Sequence, residues 1–416
     1  MKTPKTFRLH IGIFGRRNVG KSSLLNCLTR QQTAIVSATP GTTTDPVEKP
    51  MELPAIGPVL FIDTAGVDDE GSLGSLRVAK TRQVIERTDL ALLVVEAGNW
   101  STFEETLFRE LSAQNLPTVI VFNKSDLSEP APELIERLSQ ESKTASVIFC
   151  ARNGRGISEL FQALIQHIPD EFINRPSIAA DLVPEGRCAI LVTPVDKAAP
   201  KGRLILPEVQ TIRDLLDANR FIIVCRESEL PLALSRLNEK PAIVITDSQA
   251  FKTVNELTPA DIPLTGFSVL FARLQGDLNE MTRGALSIDR LKPGDKVLIA
   301  EACTHHPVQE DIGTVKIPRM LNRYVGGELQ FEWTHGRDFP EELASFKLII
   351  HCGACTWNRR SVLSRLLRAQ EAGVPITNYG LCIAYSLKIF NRALEPFPIA
   401  SEIYRNHLQS QQNSPD

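Results

Sequence analysis

The sequence predicts an α/β protein built as three successive domains. Three observations lead there. Short apolar runs recur along the 416 residues, and helical patterns alternate with them, the order found in parallel-sheet proteins. The most specific loop signatures fall just after such runs, where α/β sheets place their sites. A stretch with few apolar residues, Ile168-Pro169-Asp170 to Pro184-Glu185-Gly186, reads as a linker behind the first domain. The expected division is 1–170, 171–264 and 265–416.

Composition narrows the class. Hydrophobic and charged fractions of 43% and 23% are those of a soluble globular protein. A net charge of −3 offers no basic field for nucleic acid. No apolar run approaches the roughly 20 residues of a membrane span. Met1 to Arg8 is polar and basic and runs straight into a strand, so it is not read as a signal peptide. The expected location is the cytoplasm, where thiols stay reduced. The eight cysteines are therefore read as core residues and ligands, not disulfides.

The first domain opens with a strand, Phe7 to Phe14. Gly15-Arg16-Arg17-Asn18-Val19-Gly20-Lys21-Ser22 follows, and then a helical run from Ser23. This is the P-loop spacing in the context it requires. Backbone N–H groups from Gly15 through Ser23 would wrap the phosphates at a helix N-terminus. Lys21 would reach the β/γ oxygens and Ser22 would ligate Mg2+. Asp63-Thr64-Ala65-Gly66 ends the strand Val59 to Ile62. Asp63 suits Mg2+ bound through water, and the Gly66 N–H suits the γ-phosphate. Asn123-Lys124-Ser125-Asp126 ends the strand Thr118 to Phe122. The Asp126 carboxylate can accept from guanine N1–H and N2–H2, which adenine lacks. Cys150-Ala151 would support the base from the other side. Four motifs in order define a GTP site. In Pro40-Gly41-Thr42-Thr43-Thr44-Asp45 one threonine should close over the γ-phosphate and Mg2+. Its place before x-Asp selects Thr43, with Thr42 and Thr44 left open. Lys21 and Thr43 are the expected catalytic pair.

From Phe7 to Pro169 these motifs resemble the GTPases of the TrmE–Era–EngA group. The resemblance implies that Asn18 helps hold a K+ ion. Val67 follows Gly66, where Ras-like enzymes have their water-positioning Gln. Slow GTP hydrolysis, stimulated by K+, is the expectation.

The middle domain reads as three strand–helix units. The strands are Cys188 to Val192, Phe221 to Val224 and Ala242 to Ile245. It has no phosphate loop and no catalytic cluster. A small parallel sheet with an open edge can pair with its own copy, so this is the candidate dimerisation domain, with a rigid spacer as the alternative.

In the last domain Phe267 to Phe271 reads as a strand and Leu278 to Ile288 as an amphipathic helix. Strands ending at Ala300, Trp333 and Ile350 follow, and then helices Ser361 to Ala372 and Leu381 to Phe390. Cys303-Thr304-His305 follows the second strand of this domain, and His351-Cys352-Gly353-Ala354-Cys355 the fourth. Three thiols and two imidazoles in a reduced compartment fit structural Zn2+ as Cys3His, or an iron–sulfur cluster with three thiolates and an open or non-Cys fourth position. His305 and His351 are read either as a weak fourth ligand or as donors to the ligating atoms. Arg359 and Arg360, just past Cys355, are noted as partners for an anionic group, with a solvated helix terminus as the plainer reading. Cys382 reads as core.

The order and spacing of the two half-motifs behind a GTPase resemble the HydF-type maturation factor of [FeFe]-hydrogenase over the whole chain. The resemblance implies a homodimeric scaffold with GTPase, dimerisation and cluster-binding domains. It implies a [4Fe–4S] cluster on Cys303, Cys352 and Cys355 with an exchangeable fourth iron site. It also implies a transient diiron subcluster precursor, made with radical-SAM hydrogenase maturases and passed to the apo-[FeFe]-hydrogenase. The rival reading is an RNA- or ribosome-associated GTPase with a structural Cys3His zinc site.

Overall fold

The computed structural model describes residues 3–30, 46–53, 56–64, 80–141, 143–194, 204–302 and 311–412. It falls into two compact units, 1–175 and 176–416.

The first unit runs β1 (Leu9–Phe14), α1 (Lys21–Arg30), β2 (Val47–Leu53), β3 (Gly57–Asp63), β4 (Leu90–Glu96), α2 (Thr102–Ala113), β5 (Thr118–Asn123), α3 (Pro132–Ser139), β6 (Thr144–Ile148), α4 (Ile157–Gln166) and a short α5 (Asp170–Ile173). Strand order is β2-β3-β1-β4-β5-β6, with only β2 antiparallel to its neighbour. β1, β4 and β5 are apolar because both faces are covered. Ile11, Ile13, Leu92 and Val121 cluster with Leu24 and Leu25 of α1 and Leu160 and Leu164 of α4. Leu93, Val95, Ile120 and Phe122 cluster with Leu107, Phe108 and Leu111 of α2. Each fully buried side chain of this kind contributes about 1.5–3 kcal/mol. That double-sided core holds the strand ends rigid, and the loops at those ends carry the motifs.

The second unit has two four-stranded sheets, parallel throughout. The first comprises β7 (Cys188–Val192), α6 (Leu206–Asp217), β8 (Phe221–Cys225), α7 (Leu230–Ser235), β9 (Ile243–Thr246), α8 (Phe251–Leu257) and β10 (Leu264–Gly266), in the order β10-β9-β7-β8. Then come α9 (Phe267–Gln275), α10 (Leu278–Leu286), β11 (Lys296–Glu301), α11 (Ile317–Val325), β12 (Gln330–His335), β13 (Leu348–His351), α12 (Arg359–Glu371), β14 (Ile376–Asn378), α13 (Tyr379–Ser386), α14 (Phe390–Leu394) and α15 (Pro398–Gln412). The order of this sheet is β12-β11-β13-β14.

Three expectations need correction. Phe267 to Phe271 is not a strand but the start of α9, and the neighbouring strand is the three-residue β10 that precedes it. Four apolar residues in a run of five, broken by Ser268, fit a buried helix as well as a strand, and here the helix is buried nearly all round. The half-motifs accordingly follow the first and third strands of their sheet, not the second and fourth. The presumed linker is also well packed in its second half. Ile178, Ala179 and Val183 are buried, and the Asp214 carboxylate accepts from the N–H groups of Ala179 and Ala180 at 2.8 and 2.9 Å. Arg273 of α9 grips the same segment, donating to the Ser177 and Ile178 carbonyls and to Asp181. At the far end α15 stays helical to Gln412.

Candidate functional sites: a phosphate loop and a thiol loop

The phosphate loop leaves β1 at Gly15 and enters α1 at Lys21. Its two glycines are steric necessities. A Cβ at Gly15 would lie 2.2 Å from the Val94 carbonyl oxygen, and one at Gly20 would lie 2.2 Å from Asn123 Nδ2, with φ of 136° and 95° respectively. Lys21 is 7% exposed, and its ammonium donates to the Gly15 and Arg16 carbonyls at 2.7 and 2.6 Å. The chain thus holds the charge at the crest of the loop. Ser22 Oγ donates to Asp63 Oδ2 at 3.1 Å, while Asp63 Oδ1 is buried with no hydrogen-bond partner. Burial pushes the Asp63 carboxyl up, against the pull of the Lys21 charge and the Ser22 hydroxyl. A buried acceptor oxygen left open beside the Ser22 hydroxyl is the chemistry that Mg2+ with its water shell satisfies.

The base-side loops are tied to the same centre. Asn123 is 2% exposed; its Nδ2 donates to the Val19 carbonyl at 2.8 Å, and its Oδ1 accepts from Ala151 N–H at 3.1 Å. It therefore joins the phosphate loop to the loops after β5 and β6. Asp126 is exposed, and its Oδ1 accepts from Cys150 Sγ at 3.3 Å. Lys124, in the left-handed region at φ 61°, pairs with Glu96 at 3.2 Å. Asn18 and Ser23 are exposed, and Asn18 is also left-handed at φ 62°. Thr42, Thr43, Thr44 and Gly66 lie outside the described residues.

Sequence reasoning passed over Arg16. Its guanidinium binds the buried Glu104 carboxylate at 2.7 Å and stacks 4.9 Å from the Phe103 ring. Glu104 also completes the capping box of α2 with Ser101. The loop is thereby pinned to a helix start. The S-x-x-E spacing of Ser101 to Glu104 signalled the cap, but nothing local signalled its partner.

The thiol loop grows from β13. β11 and β13 are paired in parallel, with Ala300 opposite His351, so the two strands end on the same side of the sheet. Cys352 N–H donates to the Ala300 carbonyl at 2.9 Å. Cys352 Sγ in turn accepts from Ala302 N–H at 3.0 Å and from Ala354 N–H at 3.4 Å. Ala354 adopts φ 47°, a left-handed turn that a non-glycine residue enters at a cost. Two N–H groups aimed at one sulfur are the donors that a metal-bound thiolate or a cluster sulfur accepts. Cys303, His305 and His306 lie outside the described residues, and among the described residues no group of three or more Cys, His, Asp or Glu is placed to hold a metal ion.

His351 is fully buried, and both its ring nitrogens are engaged, Nδ1 with the Cys352 carbonyl at 2.7 Å and Nε2 with Arg365 at 3.0 Å. Burial, with the Arg365 charge second, pushes its pKa down to about 3. Arg359 donates to the Arg273 and Leu274 carbonyls at the end of α9. Cys382 is fully buried, and burial pushes its thiol up to about 12. At the end of β11, buried Glu301 accepts from Tyr379 Oη at 3.0 Å and pairs with His335 Nδ1 at 2.9 Å.

A guanine-type phosphate-loop site on one compact unit, followed by two parallel-sheet modules, defines a multidomain P-loop GTPase. Family comparison agrees module by module. Residues 10–124 match the family described as 50S ribosome-binding GTPase, 178–276 the hydrogen maturase F dimerization domain, and 279–396 the hydrogen maturase F tetramerization domain. The last two together take up more than half of the chain, which belongs to the hydrogen maturase F (HydF) family. Its GTPase part is similar to the tRNA modification GTPase MnmE. The protein of Prochlorococcus marinus (strain NATL1A) is 36% identical over 165 residues, 38% of this chain and 34% of that protein. That of Heliobacterium modesticaldum is 38% identical over 154 residues, 36% of this chain and 32% of that protein. The chain thus spans about a third of the length of these curated relatives. The G domain of the T. maritima FeoB iron transporter is 22% identical, covering 39% of this chain and 99% of that one, with a TM-score of 0.31. Among the described residues no helix is long and apolar enough to cross a membrane.

Proposed function

We propose that the chain is a homo-oligomeric, GTP-hydrolysing scaffold that assembles the diiron precursor of the [FeFe]-hydrogenase active site and delivers it to the apo-hydrogenase. The observation that supports this reading is the parallel pairing of β11, which leads in sequence to Cys303, with β13, which leads to Cys352, in a chain whose phosphate loop brings Ser22 onto Asp63. Lys21, Ser22 and Asp63 bind phosphate and Mg2+, Asn18 assists with K+, Asp126 reads guanine, and Thr43 closes on the γ-phosphate. Hydrolysis is slow, as suits a switch. Cys303, Cys352 and Cys355 hold a [4Fe–4S] cluster. That group, when bound, supplies an iron with a replaceable fourth position where a cyanide or other donor can come and go. The diiron unit is cargo, received with the help of radical-SAM maturases. The GTPase, dimerisation and cluster-binding roles divide at 1–170, 171–264 and 265–416, and the protein works in the cytoplasm.

Metal and acid-labile sulfide on anaerobically reconstituted protein, with an EPR spectrum after dithionite reduction, test this. About four iron and four sulfide per chain are expected. Stoichiometric zinc without sulfide would instead support an RNA- or ribosome-associated GTPase.

The dimer contact is assigned to β8. It is the outer strand of its sheet, its five residues are all apolar or Cys, and Phe221 and Val224 are 60% and 43% exposed. An open apolar edge without charge or proline is a template for a second strand. Across a two-fold axis each residue counts twice, and a buried Phe is worth about 1.5–3 kcal/mol, so Phe221→Asp should weaken association by roughly a hundredfold or more. Light scattering should then report half the wild-type mass. An unchanged mass would place the interface elsewhere.

A further inference from the structure

Arg365 lies on α12, and its guanidinium is buried, with the residue 4% exposed. It stacks between two aromatic rings, 4.3 Å from the Trp357 centroid and 4.7 Å from that of Phe339. Nη2 donates to the Gly336 carbonyl at 2.7 Å. Nη1 points at His351 Nε2, 3.0 Å away. A guanidinium offers only donors, so Nε2 must accept. The ring proton is then on Nδ1, where it meets the Cys352 carbonyl at 2.7 Å. Trp357 closes the arrangement, its ring meeting the His351 ring edge-on at 6.0 Å and its backbone N–H donating to the Ala354 carbonyl at 2.9 Å. Desolvating a charge this fully is costly unless the site compensates it, and stacking with carbonyl bonds does so.

We propose that Arg365 is a positioning residue of the thiol loop. Through a neutral His351 it fixes the Cys352 peptide, and its charge stands behind the loop as a permanent counter-charge to the anionic group the cysteines hold. His351 is then a strut and not a ligand, since binding a metal through Nε2 would displace Arg365 and binding through Nδ1 would displace the Cys352 carbonyl. The inference rests on the cluster reading above. Its signal was not local, because Arg365 is one of several arginines in Arg359 to Arg368 and only the fold aims it at β13.

The test compares full-length, anaerobically reconstituted wild type with Arg365→Gln, Arg365→Lys and His351→Asn. In the wild type, pulsed EPR of the reduced protein should show no strongly coupled imidazole nitrogen from His351, so any such signal should survive in His351→Asn. Arg365→Gln should move the cluster's midpoint potential to more negative values, because a nearby cation favours the added electron. Arg365→Lys keeps the charge but not the forked, planar geometry, so it should hold the potential closer to wild type while losing iron per chain. A coupled nitrogen that vanishes in His351→Asn overturns the strut, and so does Arg365→Gln with unchanged iron and potential. The strut also has a metal-free readout. Nitrogen-15 spectra of the apoprotein should contain, beside the signals of other histidines such as His167, a neutral ring protonated at Nδ1 that is missing in His351→Asn and shifted in Arg365→Gln. If that ring is seen but the wild type takes up no iron and sulfide, the functional reading and the counter-charge fail while the strut stands. If the ring is absent or insensitive to Arg365, the strut itself fails.

Discussion

Lys21→Ala will slow GTP hydrolysis by roughly a hundredfold to a thousandfold, the usual cost of losing one preorganised charge-stabilising donor. It will leave the iron content of the protein unchanged. The first half follows from how the ammonium is held. Lys21 is 7% exposed and its Nζ already lies against two carbonyls of its own loop, 2.7 and 2.6 Å away. Phosphate oxygens can take over from those carbonyls without moving the side chain far, so little reorganisation is needed as charge develops on the γ-phosphate. Alanine leaves the loop carbonyls turned toward an anion with no cation between them. The second half follows from the domain layout. Lys21 lies in the unit 1–175, and Cys352, Cys355 and the N–H groups on the Cys352 sulfur lie in 176–416. Phosphate release and iron content, measured on one preparation, decide both halves. A Lys21→Ala protein that cannot be loaded with iron would show that nucleotide binding is needed to form the thiol site.

What could be read from the sequence follows a physical pattern. Lys21, Asp63, Asn123 and Asp126 could be singled out because each belongs to a motif that follows an apolar strand in a fixed local context, and local context survives folding. The runs ending at Ala300 and Ile350 were read as strands, and β11 and β13 are neighbours. The failures are non-local or ambiguous. Phe267 to Phe271 has no period that separates helix from strand, and the true strand, Leu264–Gly266, is too short to stand out. Ile178 to Val183 looked like linker because its partners, Asp214 and Arg273, are distant in the chain. Arg16 and Arg365 have no local signal, and only the fold puts Glu104 and His351 beside them. A buried arginine has no sequence signature of its own, because what compensates it is assembled by the fold.

Asp126→Asn will exchange the preferred base from guanine to xanthine. The carboxylate offers acceptors only, and guanine presents two donors to it, N1–H and the exocyclic amine. Hydrogen bonds to a charged group are worth about 1.5–3 kcal/mol each, so losing one and turning the other into a donor–donor clash should weaken GTP binding by roughly a hundredfold to a thousandfold. Xanthine keeps N1–H but carries a carbonyl at C2, and an amide can give one bond and take the other there. The exchange should leave the rest of the site intact. Asp126 is exposed on its loop, and Cys150 Sγ can donate to an amide oxygen as it does to the carboxylate at 3.3 Å. The residue that carries the architecture is Asn123, which joins Val19 and Ala151 from a buried position and is untouched. Competition of GTP and XTP against a fluorescent guanine nucleotide on wild type, and against a fluorescent xanthine nucleotide on the variant, measures the change. If Asp126→Asn still binds GTP within about tenfold of wild type and rejects XTP, base reading lies elsewhere in the loops after β5 and β6, and the two-bond argument fails.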